Sequence, residues 1–135
     1  MSEFKVKVRQ IFEEGWNRGN LDLFDEICSP DYVYRDATYG MMDLESYKRF
    51  VAQVRTSYPD THVAIEDLMD AEGDKVVARW TFFGTDRGGS LALSMPPTGK
   101  HVIISGMTIC RFKDGLIAEV WNEEDTFGLM KQLRG

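Results

Sequence analysis

Arg111 and Asp125 are the charged side chains whose spacing points most directly to chemistry. Both fall on an alternating stretch late in the chain, Gly106 to Gln132. Two alternating runs, Ile103–Phe112 and Leu116–Glu123, flank Lys113-Asp114-Gly115, the signature of a hairpin turn. A three-residue loop with Gly115 left-handed sets Phe112 opposite Leu116. Met107, Ile109 and Arg111 then share one face with Ile117, Glu119, Trp121 and Glu123, and Asp125 ends the same series. An Arg and an Asp thus look onto one face walled by Met107, Ile109 and Trp121. They need not touch, because a flat hairpin separates them by on the order of 26 Å. A two-residue loop would shift the register by one and put them on opposite faces. A carboxyl among apolar side chains has its pKa raised by desolvation, which suits it to take and return protons. A guanidinium stays charged, so its use is to hold a carboxylate, an enolate or a polarised carbonyl. Each also has a plainer role. Asp125 before Thr-Phe-Gly is a good helix N-cap, and Arg111 beside a turn can pair with a neighbouring carboxylate.

Trp16, Tyr34, Tyr39, Trp80 and Trp121 are the aromatics able to line a pocket for a flat ligand. Met41, Met42, Met95 and Met107 suit an adaptable apolar wall. At helical or strand spacing all of these also fit ordinary core filling. His62 and His101 are scattered and fit the surface, so neither a metal site nor an imidazole base is expected. Ser90 and Ser94 lack a nucleophile elbow, and Gly88-Gly89 is followed by no phosphate-loop Lys-Ser/Thr, so no cofactor is expected either.

At 135 residues the chain fits one domain spanning 1–135. Apolar residues make up 43% and charged residues 28%, the balance of a globular protein that buries a core. A net charge of −6 argues against nucleic acid or an anionic membrane as partner. No apolar run nears the roughly 20 residues of a membrane span, and MSEFKVKVRQ lacks a signal-peptide core. Cys28 and Cys110 form no CxxC pair, and a reduced cytoplasmic setting is the simplest expectation.

The elements that would position these residues follow from period. Residues 3–18 read as an amphipathic helix through Phe4, Val8, Ile11, Phe12 and Trp16. Gly19-Asn20 ends it, Asn20 caps a short second helix, and Pro30 stops that one. Tyr32–Asp36 reads as a strand, and Asp43 caps a helix whose stripe is Leu44, Tyr47, Val51, Val54 and Tyr58. After Pro59 the period switches to two. Val63–Met69 and Lys75–Thr85 are strands, the second apolar on both faces and therefore expected to be central and covered on both sides. Asp86–Gly99 is a loop or flap, Val102–Phe112 and Leu116–Glu123 are strands, and Phe127–Leu133 is a closing helix. Helices first and strands afterwards is the α+β order.

The string Trp121-Asn-Glu-Glu-Asp125-Thr-Phe-Gly-Leu129-Met-Lys-Gln132-Leu133 resembles the C-terminal signature of SnoaL-like polyketide cyclases, within the NTF2-like superfamily. Five more segments agree in order: Gly15-Trp16-Asn17 with Gly19-Asn20-Leu21, Pro30–Val33, Tyr58-Pro59-Asp60, Ala71–Asp74 and Pro96–Lys100. The resemblance implies a cone-shaped α+β barrel, N-terminal helices packed in a curved mixed or antiparallel sheet, with an apolar pocket at its mouth. It implies Asp125 as acid/base in a cofactor-independent ring closure or isomerisation of a small apolar or aromatic carbonyl compound, and a homodimer formed through the sheet. It would place Arg111 in the same pocket. The chain departs from the cyclases at three positions where His is common: Arg35, Asp86 and Arg111. Arg35 and Arg111 join the aromatics and Met107 as candidate substrate contacts. Three readings stay open: a cyclase or isomerase; a hydratase, dehydratase or epoxide hydrolase on the same scaffold; and a non-catalytic binding or dimerisation module.

Overall fold

The computed structural model describes residues 2–89 and 95–135. Helix α1, Glu3–Gln10, starts where the Ser2 side chain accepts from the Lys5 amide, and it runs on into a π-helical turn, Ile11–Trp16. There the Asn17 amide reaches back five residues to the Phe12 carbonyl. The predicted single helix is therefore present but changes pitch. Helix α2, Asp22–Ile27, has Leu21 at its N-cap with no side-chain bond, so Asn20 is not the cap expected. Strand β1, Cys28–Asp36, follows without a loop, and Pro30 sits in a register irregularity between Cys28 and Val33. Proline lacks the ladder donor, which explains the break.

Strand β2, Gly40–Met42, is too short for alternation to show in the sequence, and it pairs antiparallel with β1. Helix α3, Leu44–Ser57, is capped by Asp43 as its sequence predicts. Strands β3, His62–Ala71, and β4, Lys75–Thr85, form a hairpin; β5, His101–Lys113, and β6, Leu116–Glu124, form a second. Helix α4, Thr126–Arg134, ends the described chain.

All six strands form one open mixed sheet in the order β2-β1-β6-β5-β4-β3, with β1 and β6 parallel. Residues from every helix join its inner face in one apolar core, the α+β cone that the resemblance implies. Phe4 stacks on Phe112 at 4.1 Å and ties α1 to the β5 end of the second hairpin. Among the described residues no helix is long and apolar enough to cross a membrane.

Two expectations about faces are corrected. Strand β4 lies between β5 and β3, and Val77 and Phe83 on its outer side are only half-buried, so it is not covered on both faces. The second hairpin turns in two residues, Asp114 and Gly115, both at positive φ, with Lys113 opposite Leu116. Such a turn matches the right-handed twist of the strands better than a wider loop. A bulge between Arg111 and Phe112 then restores the parity. Arg111, Ile109 and Met107 do face the same way as Glu119, Trp121 and Glu123, but Ile117 pairs with Phe112 on the inner face and is 1% exposed.

Asp86 anchors the segment after β4. Its Oδ1 accepts from the Gly89 amide, and its Oδ2 accepts from the Thr98 amide and hydroxyl. Both ends of the expected flap are thereby joined at one buried carboxylate; its middle, 90–94 with Ser90 and Ser94, lies outside the described residues.

Gly106 on β5 sits under the Trp80 indole, where an added Cβ would lie 2.3 Å from the ring. Gly106→Ala is expected to push the indole aside and lower stability by about 1–3 kcal/mol, seen as a lower denaturant midpoint at unchanged slope.

Candidate functional site

The core is not filled. Between the helices and the inner sheet face lies a cavity of about 100 Å³, walled by Phe12, Trp16, Phe50, Val54, Phe82 and other apolar groups. One part of its lining is polar: Tyr34, Thr108, Asn122 and Glu124. Strand register brings these groups together. Asp36 on β1 is the direct partner of Asn122 on β6, and Asn122 is the direct partner of Thr108 on β5. Glu124 is two residues further along β6, hence on the same face.

A chain of hydrogen bonds runs across this row. The Trp80 indole N–H donates to the Thr108 hydroxyl at 2.8 Å, and that hydroxyl donates to Asn122 Oδ1 at 2.6 Å. The amide is thus oriented, and its Nδ2 donates to both Asp36 Oδ2 and Glu124 Oε2. The Tyr34 hydroxyl also donates to Asp36 Oδ2, at 2.8 Å, while Oδ1 accepts from the Thr38 and Tyr39 amides. Four donors converge on Asp36 and engage both of its oxygens.

Glu124 is in the opposite position. Burial, and then the neighbouring Asp36, push its pKa from 4.5 to about 8, against a smaller opposing effect of Asn122. At neutral pH it is mainly a carboxylic acid. Oε2 takes the Asn122 N–H, and Oε1 is buried with no partner among the described residues.

Of the residues singled out from the sequence, Trp16, Tyr34, Tyr39 and Trp80 line this cavity. Trp16 is held by an N–H bond to the Tyr47 hydroxyl at 3.0 Å. The others lie elsewhere. Arg111 and Arg35 both grip Glu119 on the outer face, at 3.2 and 2.8 Å, and the Arg35 contact above all holds that carboxyl below its ordinary range. Trp121 lies beneath Lys75, whose Nζ is 5.7 Å from the ring centre, and Met107 is 46% exposed. Asp125 is exposed, its Oδ1 accepting the Gly128 amide at 2.8 Å as the N-cap of α4. The expectation that Arg111 and Asp125 share a pocket with Met107 and Trp121 is corrected, since that face is the outer one. Asp36, Thr108, Asn122 and Glu124 are the groups that the sequence reading passed over. The available signal was Tyr32-x-Tyr34-x-Asp36, a period-two series ending in a carboxylate, together with Thr108 and Asn122 alternating with apolar neighbours. Among the described residues no three His, Cys, Asp or Glu cluster as metal ligands would.

The family profile described as SnoaL-like polyketide cyclase matches residues 6–133. A structure from Jannaschia sp. CCS1, provisionally named a SnoaL-like polyketide cyclase, matches with a TM-score of 0.86 at 25% identity over 97% of this chain and 91% of that one. A protein of Acidithiobacillus ferrooxidans, provisionally named a polyketide cyclase, gives 0.82 at 30% identity over 98% and 95%. AclR from Streptomyces galilaeus, provisionally named a hydroxylase, gives 0.84 at 25% identity over 99% and 97%. Among curated proteins none matches.

The Glu124 shift has a consequence for stability. Its folded pKa lies above the unfolded value, so the folded state binds the proton more tightly. The associated stability is full below pH 4.5 and is lost as pH rises toward 8. Thermal melts of wild type and Glu124→Gln from about pH 5 to pH 8 should show wild type losing ground to the variant as pH rises. A constant difference across that range would mean that Glu124 titrates normally.

Proposed function

The chain belongs to the SnoaL-like polyketide cyclase family, and we propose that it binds a small apolar carbonyl compound in the inner cavity and moves a proton on it without a cofactor, Glu124 serving as the acid/base. The observation that carries this is the buried, unpartnered Oε1 of a carboxyl whose pKa is lifted to about 8. Bound against Oε1, a carbonyl oxygen accepts the proton as an enol forms. In the ionised state the same carboxylate takes a proton from the carbon beside the carbonyl. A group that does both in turn supports a redox-neutral isomerisation or ring closure. Asp36 is unsuited to the base role because its lone pairs are already engaged by four donors. Asn122 and Thr108 position Glu124 rather than react.

The test is a thermal-shift screen of small aromatic and alicyclic ketones on wild type, Glu124→Gln and Asp125→Asn, each hit followed by NMR for deuterium uptake beside the carbonyl. Glu124→Gln should slow exchange by about 10²–10⁴-fold. Asp125→Asn should keep the rate within about tenfold and, because Asn caps as well as Asp, lose only the roughly 0.3–1 kcal/mol of the carboxylate charge at the helix N-terminus. The opposite pattern would return the acid/base role to Asp125.

Pairing of two copies through the outer sheet face is part of the same proposal. Ile103, Met107 and Ile109 stand exposed there at 51%, 46% and 36% on alternate positions of β5, with Ser105 between the first two. Exposed apolar side chains on one face favour burial against a partner. Ile109→Glu is expected to convert a dimer to a monomer in sedimentation, whereas a wild type that sediments as a monomer would remove the dimer.

A further inference from the structure

Among the described residues, three side-chain polar atoms are buried without a partner: Arg9 Nε, the Tyr58 hydroxyl and Glu124 Oε1. Two of the three residues, Tyr58 and Glu124, line the same cavity. Buried polar groups are almost always bonded, because an unmade bond carries the full desolvation cost. Two residues lining one apolar space, each with an unmade hydrogen bond, make a recognition pattern.

Tyr58 is held rigidly. Its carbonyl accepts from both the amide and the hydroxyl of Thr61, and its amide donates to Val54. Its ring meets Phe82 edge-on at 5.5 Å, and Gly84 approaches so closely that an added Cβ would lie 3.0 Å from the Tyr58 Cβ. The phenol is therefore fixed in place before any ligand arrives. Burial, and then Asp86, raise its pKa to about 12, so it stays neutral and can donate or accept. Tyr39, which also lines the cavity, is made harder to ionise by burial and then by Glu124, Asp36 and Tyr58.

We infer that Tyr58 is the second polar contact of the ligand, and that the site takes a single ring or ring-sized head carrying two oxygen functions, one accepting from Glu124 and the other bonded by Tyr58. The inference rests on the Glu124 reading given above. Size sets a limit as well: the cavity is about 100 Å³, smaller than the cavity of about 150 Å³ known to hold one benzene ring. A fused four-ring compound exceeds this space. Tyr58, at the end of α3, and Glu124, at the end of β6, line the cavity from different elements, so a ligand with two oxygens offers one to each.

The probes are acetophenone, with one oxygen, and its ortho, meta and para hydroxy isomers, with two at different separations, titrated by calorimetry. At least one isomer should bind wild type about fivefold or more tightly than acetophenone. Tyr58→Phe should bring that ratio below about twofold while leaving acetophenone affinity unchanged. Carbon-13 labelling of the tyrosine ring in wild type gives a readout that needs no variant: the Tyr58 signal should move with the favoured isomer and not with acetophenone. An unchanged ratio in Tyr58→Phe, or no preference for any hydroxy isomer, overturns the inference. So does the absence of binding by all four probes up to about 10 mM. Failure of the Glu124 reading looks different: a carbon-13 titration of the free protein would then place Glu124 near 4.5 instead of about 8.

Discussion

Parallel pairing of β1 with β6 is the constraint on which the site depends. It brings Asp36 beside Asn122, and antiparallel pairing of β6 with β5 brings Asn122 beside Thr108. Without the first pairing, Asp36 would be a buried carboxylate lacking its side-chain amide donor. With it, one Asn amide bridges two carboxyl groups and its orientation is set from behind by Thr108 and Trp80. A buried polar network is tolerable only when its members are satisfied, and here every member but one is. The exception is Oε1 of Glu124, a residue that lines the cavity.

Three carboxyl groups show how environment divides one chemistry into three behaviours. Asp36 collects four donors in a buried setting. Glu124, close by, receives the Asn122 N–H and is driven toward the neutral acid by burial and by its hydrogen bond to Asp36. Glu119, on the other side of the same strand, lies between two guanidinium groups and is held ionised. Glu119 and Glu124 are five residues apart on β6, an odd spacing that puts them on opposite faces of the sheet. Neighbouring carboxyls whose environments drive them apart are the arrangement from which acid/base sites are built.

The outer face carries Ile103, Ile109, Met107 and Trp121, and the inner face carries Thr108, Asn122 and Glu124 among its apolar residues. Judged by hydrophobicity alone, this part of the sheet reads inside out. The inner face tolerates its polar groups because they bond to one another across three strands, whereas isolated polar residues at those positions would destabilise the core. The exposed apolar residues of the outer face have no such internal explanation, and this is the ground on which pairing of two copies is proposed.

The sequence alone determined most of the elements, because period, caps and turn residues are local. Asp43 before Leu44 and the switch to period two after Pro59 carry their structural meaning within a few residues, whereas Lys113-Asp114-Gly115 marked a turn without its length, two residues instead of three. The ordered segments from Gly15 to Leu133 likewise determined the family. Even Asp125 carried its capping role in the Thr-Phe-Gly that follows it. Tertiary structure decided the site. Which face of β6 looks inward depends on a one-residue bulge at Arg111 and on a parallel neighbour some 85 residues earlier in the chain, as the pairing of Asp36 with Asn122 shows. Neither leaves a local mark. The step from Asp125 to Glu124 is one residue in sequence but a reversal of side in a strand, since alternation turns a single position into the difference between solvent and cavity.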